Sequence, residues 1–333
     1  EIVLRHDAPW EGNGCGYHSL FTDADRYRLY YKAWKIRINP GKVATEKTPD
    51  IYTCCAESKD GRTWTKPNLG LVYHEGSKTN NIVLGPGTLE GVEADPGHPA
   101  IFRDENPRAR TRYKGFVRSK DEPGLFAIES KDGLHWKTMA DTPVITDGAF
   151  DSQNLAFWDS VRGEYRAYWR YFQDGEITKD VWDPRGPRSI RTATSPDMVN
   201  WSNQADLTYA GNPPDEELYV NQVKSYHRAP HLLIGFPARY VERGWSSSMR
   251  ALPDPRFRDF RSSAQDRYGM ALSESLLMSS RDGVHFNRWP EAFLRPGPER
   301  SGTWNYGHQY LAWHLVETVS DLGPGAPNEL SLY

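Results

Sequence analysis

A chain of 333 residues with net charge −3, whose charges of both signs are spread along its length, has neither the basic block of a nucleic-acid binder nor an acidic solvating tail. It is long enough to bury a large core without disulfides or metal, and no apolar run is long enough to cross a membrane. Its 12 Trp and 18 Tyr favour strands and offer flat apolar faces suited to sugar rings, although ordinary β core is the default reading for any single one.

Both ends, Glu1-Ile-Val-Leu4 and Asn328-Glu-Leu-Ser-Leu-Tyr333, read as strands. There is no initiator Met and no charged start followed by an apolar stretch, so the expectation is a trimmed or mature chain. Cys15, Cys54 and Cys55 cannot form a closed framework and are read as free thiols acting as small apolar fillers. The three free thiols fit a reducing compartment, but bacterial secreted enzymes also lack disulfides, and a periplasmic or extracellular location is favoured over a cytoplasmic one.

Going along the chain, a unit of strand, polar turn and aromatic strand recurs at 16–31, 100–116, 154–169 and, more loosely, 219–237. In the third copy Tyr165, Ala167 and Trp169 alternate with Arg166, Tyr168 and Arg170, which is strand periodicity. Each unit leads to a box: Ser58-Lys-Asp60-Gly-Arg-Thr-Trp64, Ser130-Lys-Asp132-Gly-Leu-His-Trp136, Ser195-Pro-Asp197-Met-Val-Asn-Trp201 and Ser280-Arg-Asp282-Gly-Val-His-Phe286. Asp-Gly between strands signals a hairpin, because Gly accepts the positive φ of a tight turn. The box is structural, and its aromatic residue is expected to be buried between repeats.

Two strands from the unit and two around the box make four strands per repeat, the content of a propeller blade. The predicted architecture is all-β, a single five-bladed β-propeller of four-stranded antiparallel blades. The blades fall at about 11–75, 80–146, 150–210 and 215–296, with 302–333 closing against the N-terminal strand. The irregular stretch from Val241 to Tyr268 is either a surface insertion or a lid.

In such a fold, polar residues at the entrance of each inner strand converge on the axis. The candidates are Asp7, Trp10, Glu11 and Asn13 in the first blade, and Asp95 and His98 in the second. Asp151, Gln153 and Asn154 follow in the third, Asp215, Glu216, Glu217 and Asn221 in the fourth, and Glu299, Trp304, Tyr306 and His308 in the last. Glycoside hydrolysis needs two carboxyl groups across the scissile bond, and several acids recur at the required place. Asp104 is read as structural, because Phe102-Arg-Asp104 falls in register with Phe157-Trp-Asp159 at the far end of the inner strand.

At this point the sequence resembles the five-bladed propeller glycosidases of families 32 and 43, the invertase-like and arabinanase-like enzymes, and within that group uncharacterised bacterial family-32-like proteins. Trp10-Glu11-Gly-Asn13 followed by an aromatic strand is similar to their first-blade motif Trp-x-Asn-Asp-Pro-Asn-Gly, with Glu in place of Asp and the proline missing. The resemblance implies a nucleophile or base at Glu11, a second-blade group at either Asp95 or His98, and a third-blade acid at Asp151. The boxes also resemble the sialidase Asp box, which is one residue longer between Asp and Gly and belongs to enzymes with an arginine triad and a tyrosine nucleophile. A third relative class, the mannoside phosphorylases, would need a phosphate pocket, for which Arg239, Arg295 and Arg300 are available.

The resulting expectation is an exo-acting glycoside hydrolase. Glu11 is nucleophile or base, Asp151 a partner acid or transition-state stabiliser, and Glu217 the alternative acid. Asp7, Asn13, Asp95, His98, Gln153, Asn154, Asn221, Tyr306 and His308 bind sugar hydroxyls, and Trp10 and Trp304 stack on a ring. No cofactor or catalytic metal is called for, and a Ca²⁺ at the axis would be structural. The expected partner is a carbohydrate, with no nucleic acid and no membrane. The rival from another class is a non-catalytic glycan- or protein-binding propeller.

Overall fold

A computed structural model of the chain describes residues 2–39, 41–44, 51–297, 307–323 and 325–333. Strands dominate it, in sheets that follow one another in chain order and are antiparallel but for the short parallel pairing of Thr208–Tyr209 with His285–Leu294. The first sheet orders Gly14–Asp23, Arg26–Trp34, Ile51–Ser58 and Trp64–Thr65. The second orders Ala94–Arg103, Tyr113–Ser119, Leu125–Ser130 and Lys137–Thr138, and the third Leu155–Asp159, Glu164–Ile177, Trp182–Ser195 and Ser202–Asp206. The fourth is built on Ala229–Gly235, Leu272–Ser280 and His285–Leu294, with short strands at its edges. A hairpin of Val316–Thr318 and Glu329–Ser331 ends the chain. No helix among the described residues is long and apolar enough to cross a membrane.

Two expected boundaries differ. Ile82–Leu84 pairs with Ile51–Ser58, so the first repeat extends past residue 80. Residues 2–7 form no strand, although Leu4 still packs on the first-sheet core.

The four boxes share one hydrogen-bond pattern. In the second, Ser130 Oγ donates to Asp132 Oδ1 and accepts from the Gly133 amide at 2.9 Å, while Asp132 Oδ1 accepts the Leu134 and His135 amides. The Gly of the box has φ near +80° in three copies, and Met198 takes the same left-handed conformation in the other. Each of three box carbonyls is capped by a tyrosine from another part of the chain. Tyr30 donates to Gly133 O at 2.8 Å, Tyr168 to Gly283 O at 2.9 Å and Tyr333 to Gly61 O at 2.5 Å. Box aromatics Trp136 and Phe286 are buried, whereas Trp64 and Trp201 are only half-buried, at edges covered by Tyr333 and Phe116.

The C-terminal segment touches both ends of the series. Ser19 and Trp313 form a parallel bridge, and Tyr27 OH donates to Glu317 O at 2.6 Å. On the other side Ser273 bridges His308, and Arg228 pairs with Glu317. Asp104 is a turn anchor, accepting from Tyr165 OH at 2.7 Å, the Asn106 amide and Lys114 Nζ, so it ties the second sheet to the third.

The stretch from Val241 to Tyr268 is not featureless. It contains the short helices Ser247–Arg250 and Pro255–Ser262 and enters a third, Arg267–Met270.

Candidate functional site

A cavity of about 880 Å³ opens where the first, third and fourth sheets meet. Three devices shape it. The first is a turn: Pro9–Glu11 winds one 3₁₀ turn in which Glu11 Oε2 accepts the Ala8 amide at 2.8 Å. Gly12 follows at φ +68°, where a Cβ would lie 2.3 Å from Trp34 O. The second is the overlong hairpin of the third sheet, which projects beyond its neighbours and lines the cavity with Phe172, Trp182, Arg185 and Arg188. The third is the helical insertion, which contributes Arg261, Arg267 and Tyr268, as a lid would.

Three of the expected acids line this cavity, each delivered by a different sheet region: Glu11, Asp151 and Glu217. Glu11 is 1 % exposed. It accepts from Tyr31 OH at 2.5 Å and from Lys66 Nζ at 2.7 Å, and His6 Nδ1 stands 3.6 Å away. Burial alone would raise its pKa, but the nearby His6 and the hydrogen bonds from Lys66 and Tyr31 outweigh burial and hold the carboxyl at about 2. Asp151 and Glu217 are more open and each faces an arginine. Asp151 pairs with buried Arg170, and Glu217 accepts Arg188 Nη1 at 2.6 Å and the Arg188 amide at 3.1 Å.

Between these pairs lies a patch of tyrosines. The Arg170 and Arg188 guanidiniums stand 4.9 and 5.5 Å from the Tyr219 ring centroid, and Tyr310 lies 5.9 Å from it. Burial would raise the Tyr219 phenol, but Arg170, a hydrogen bond from Tyr17 and Arg188 lower it below its ordinary value. Tyr17 and Tyr310 are pushed up, by burial first and by neighbouring phenols next. Tyr17 itself has φ +54°, a strained conformation for an aromatic residue, at a break in the strand register between Gly16 and Ser19. Lys32 lies over the Trp34 ring at 3.6 Å, and burial brings it down to about 8.

Other expected site residues have different work. Gln153 donates to Ser19 Oγ and lies within hydrogen-bonding distance of Tyr17 O and Pro99 O, and it accepts from Gln222, which also donates to Leu311 O. These two amides tie chain segments together and are not among the residues that line the cavity. Asn154 holds its own loop at Phe150 O and Ser152 O, and Asn221 accepts the Val223 amide. Asp95 and His98 pair with each other at 2.9 Å, buried behind the lining, with the His98 ring 5.2 Å from that of Tyr17. Trp10 donates to Asn81 and packs in the first-sheet core, so it is not a sugar platform. Asp7 is exposed and paired with Lys66. Asn13 lines the cavity, but both ends of its amide are used by the Ile36 backbone. His308 lines it too, bonded to Ser273 Oγ at 2.7 Å. Glu216 is held between Arg239 and Arg288. Glu299, Arg300, Trp304 and Tyr306 lie outside the described residues. Of the arginines expected in a phosphate pocket, Arg239 and Arg295 both pair with Glu274 and neither is among the residues that line the cavity.

No protein-family model matches the sequence, and no curated protein matches it. Solved structures do match the fold. An N-acetylgalactosamine deacetylase from F. plautii, in complex with blood group B trisaccharide, superimposes with a TM-score of 0.53 at 12% identity, over 88% of this chain and 73% of that one. An endo-1,4-beta-xylanase from Bacteroides thetaiotaomicron gives 0.50 at 10% identity, over 86% of this chain and 76% of that one. At such identities the likeness is one of fold.

Proposed function

We propose that this chain is a five-bladed β-propeller glycoside hydrolase that takes the end of a glycan into the cavity and cleaves it with carboxyl groups. The observation that carries the reading is the convergence of Glu11, Asp151 and Glu217, from three sheet regions, on one cavity walled by aromatic rings. Five blades are supported by the four sheets in chain order and by the C-terminal hairpin, which touches both the first and the fourth. In this reading the chain, 1–333, is a single domain.

Asp151 and Glu217 are the acid and the base or nucleophile, because each is partly open to the cavity. Glu11, enclosed and held ionised, contributes fixed negative charge. Trp34, Phe172, Trp182 and Tyr268 replace Trp10 as faces for sugar rings. The exo mode is part of this proposal: Gln153 and Gln222 cross-link chain segments next to the lining residue Tyr17, and such cross-links favour a blind end. The reaction itself calls for no cofactor, and the expected partner remains a carbohydrate.

A second reading is favoured by one feature, the lowered phenol of Tyr219 beside two arginines and two residues from Glu217. In it Tyr219 is the nucleophile of a sialidase-like enzyme and the substrate is acidic.

The test is a panel of neutral and acidic aryl glycosides and oligosaccharides, run with the wild type and with Asp151→Asn, Glu217→Gln and Tyr219→Phe. The expected outcome is turnover by the wild type and a loss of roughly 10²–10⁴-fold in the two carboxyl variants. A comparable loss in Tyr219→Phe alone, on acidic sugars alone, selects the second reading. Full turnover in all three variants refutes both.

A further inference from the structure

We propose that His6, Cys15 and His18 form a binding site for a borderline divalent cation, Zn²⁺ by preference, in the wall of the cavity. Their ligand atoms all lie within 4.8 Å of one another, and the two histidine Nε2 atoms are 3.1 Å apart. Around a tetrahedral Zn²⁺, with bonds of about 2.0–2.1 Å to nitrogen and 2.3 Å to sulfur, neighbouring ligand atoms stand about 3.3–3.7 Å apart. The three side chains therefore need only small movements to close on an ion.

Positions 15 and 18 lie an odd number of residues apart, so in a regular strand they would face opposite sides of the sheet. The register break between Gly16 and Ser19, with Tyr17 at φ +54°, puts both on one side with His6. Strained backbone held at one point, where it assembles a donor set, motivates a functional reading.

The surroundings fit a metal-bound imidazole. The His6 and His18 rings pack on Tyr31 at 4.4 and 5.8 Å, which fixes their orientation. His6 Nδ1, facing away from the site, is buried and has Glu11 Oε1 at 3.6 Å with no closer partner among the described residues. A carboxylate behind the second ring nitrogen orients a ligating histidine and raises its basicity. Glu11 would thus be a positioning residue for His6. Two imidazoles and a thiolate suit Zn²⁺, Co²⁺ or Cu²⁺ rather than Ca²⁺ or Mg²⁺. Cys15 is exposed, and with His6 it lines the cavity, so a fourth position would face the chamber, open to water or a substrate oxygen.

The test uses the full chain, stripped with a chelator and titrated with Co²⁺ and then Zn²⁺ alone. Co²⁺ should give a near-ultraviolet thiolate charge-transfer band that Cys15→Ser removes, and Zn²⁺ should displace it at one equivalent with a Kd below about 10 µM. His18→Ala should weaken Zn²⁺ by about 100-fold or more. A measurement that needs no variant runs alongside. Cys15 is exposed and Cys54 and Cys55 are buried, so iodoacetamide labels Cys15 selectively, and Zn²⁺ should protect it. A wild-type Kd weaker than about 10 µM, labelling unchanged by Zn²⁺, or tight binding retained in the Cys15→Ser/His18→Ala double variant overturns the site. These readouts do not depend on glycosidase activity, so failure here leaves the proposed function standing, and the converse holds too.

Discussion

Asp151 and Arg170 form an unequal ion pair, and the inequality sets an order of stabilities. The Arg170 side chain is 3% exposed, while that of Asp151 is 38% exposed. Replacing Arg170 by Met keeps contact with the Phe172 and Tyr219 rings and leaves a carboxylate that cavity water can solvate. After screening, the electrostatic loss is about 1 kcal/mol. Replacing Asp151 by Ala instead strands a buried guanidinium whose Nε already lacks a partner. Removing one partner of a buried pair costs about 3–5 kcal/mol, and the partial exposure of this one places it at about 3. Arg188, on the adjacent strand and over the same rings, adds repulsion in the same direction. The double variant should be no less stable than Asp151→Ala, giving a coupling of about 1 kcal/mol or more. Urea unfolding followed by tryptophan fluorescence, with m-values compared to establish a common transition, measures all four corners of the cycle. The reasoning is refuted if Arg170→Met is the more damaging single change, or if the two effects add within about 0.5 kcal/mol.

The box aromatics should separate by burial. Phe286→Ala should cost about 3–5 kcal/mol and Trp64→Ala clearly less, and equal losses would mean that the repeats do not pack as described. Tyr30→Phe, Tyr168→Phe and Tyr333→Phe each strip a donor from a box carbonyl and should each lower stability by about 1 kcal/mol. A silent Tyr333→Phe would argue against the C-terminal hairpin sealing the first sheet. Stability should also fall in mild acid. Burial lowers His98 to about 4, with Lys32 assisting and Asp95 opposing, and burial lowers His314 further still. The unfolded chain therefore takes up these protons first, and stability is lost as pH drops from about 6.5 towards 4, by up to about 3 kcal/mol for His98 alone. A melting temperature flat between pH 7 and 4.5 would contradict it.

The repeats were legible because their signals are local. Ser-x-Asp-Gly fixes a turn by its own hydrogen bonds, and alternation such as Tyr165 to Trp169 names a strand whatever surrounds it. The positions of Glu11, Asp151 and Glu217 were legible too, since each precedes or opens an inner strand. What could not be read was which polar groups would be consumed by the fold. Gln153 and Asn154 looked like sugar ligands, but Gln153 is taken up by groups of other segments and Asn154 by carbonyls of its own loop. Arg170 could be read only as one position in a strand alternation and Arg188 not at all, because only the long hairpin that carries them brings both to the cavity wall. Arg261 and Arg267 came from the insertion, where no periodicity guides a reading. Cys15, read as an apolar filler, is exposed, and its approach to His18 depends on the break at Tyr17, which strand periodicity does not reveal.

The most direct test of glycosidic cleavage is to incubate the protein with a glycan from the panel in ¹⁸O-labelled water and analyse the products by mass spectrometry. Hydrolysis predicts shorter products with one ¹⁸O at each new reducing end, and their loss in Glu217→Gln. Saturable binding of glycans that are all recovered intact and unlabelled would contradict the account and make the propeller a binding module.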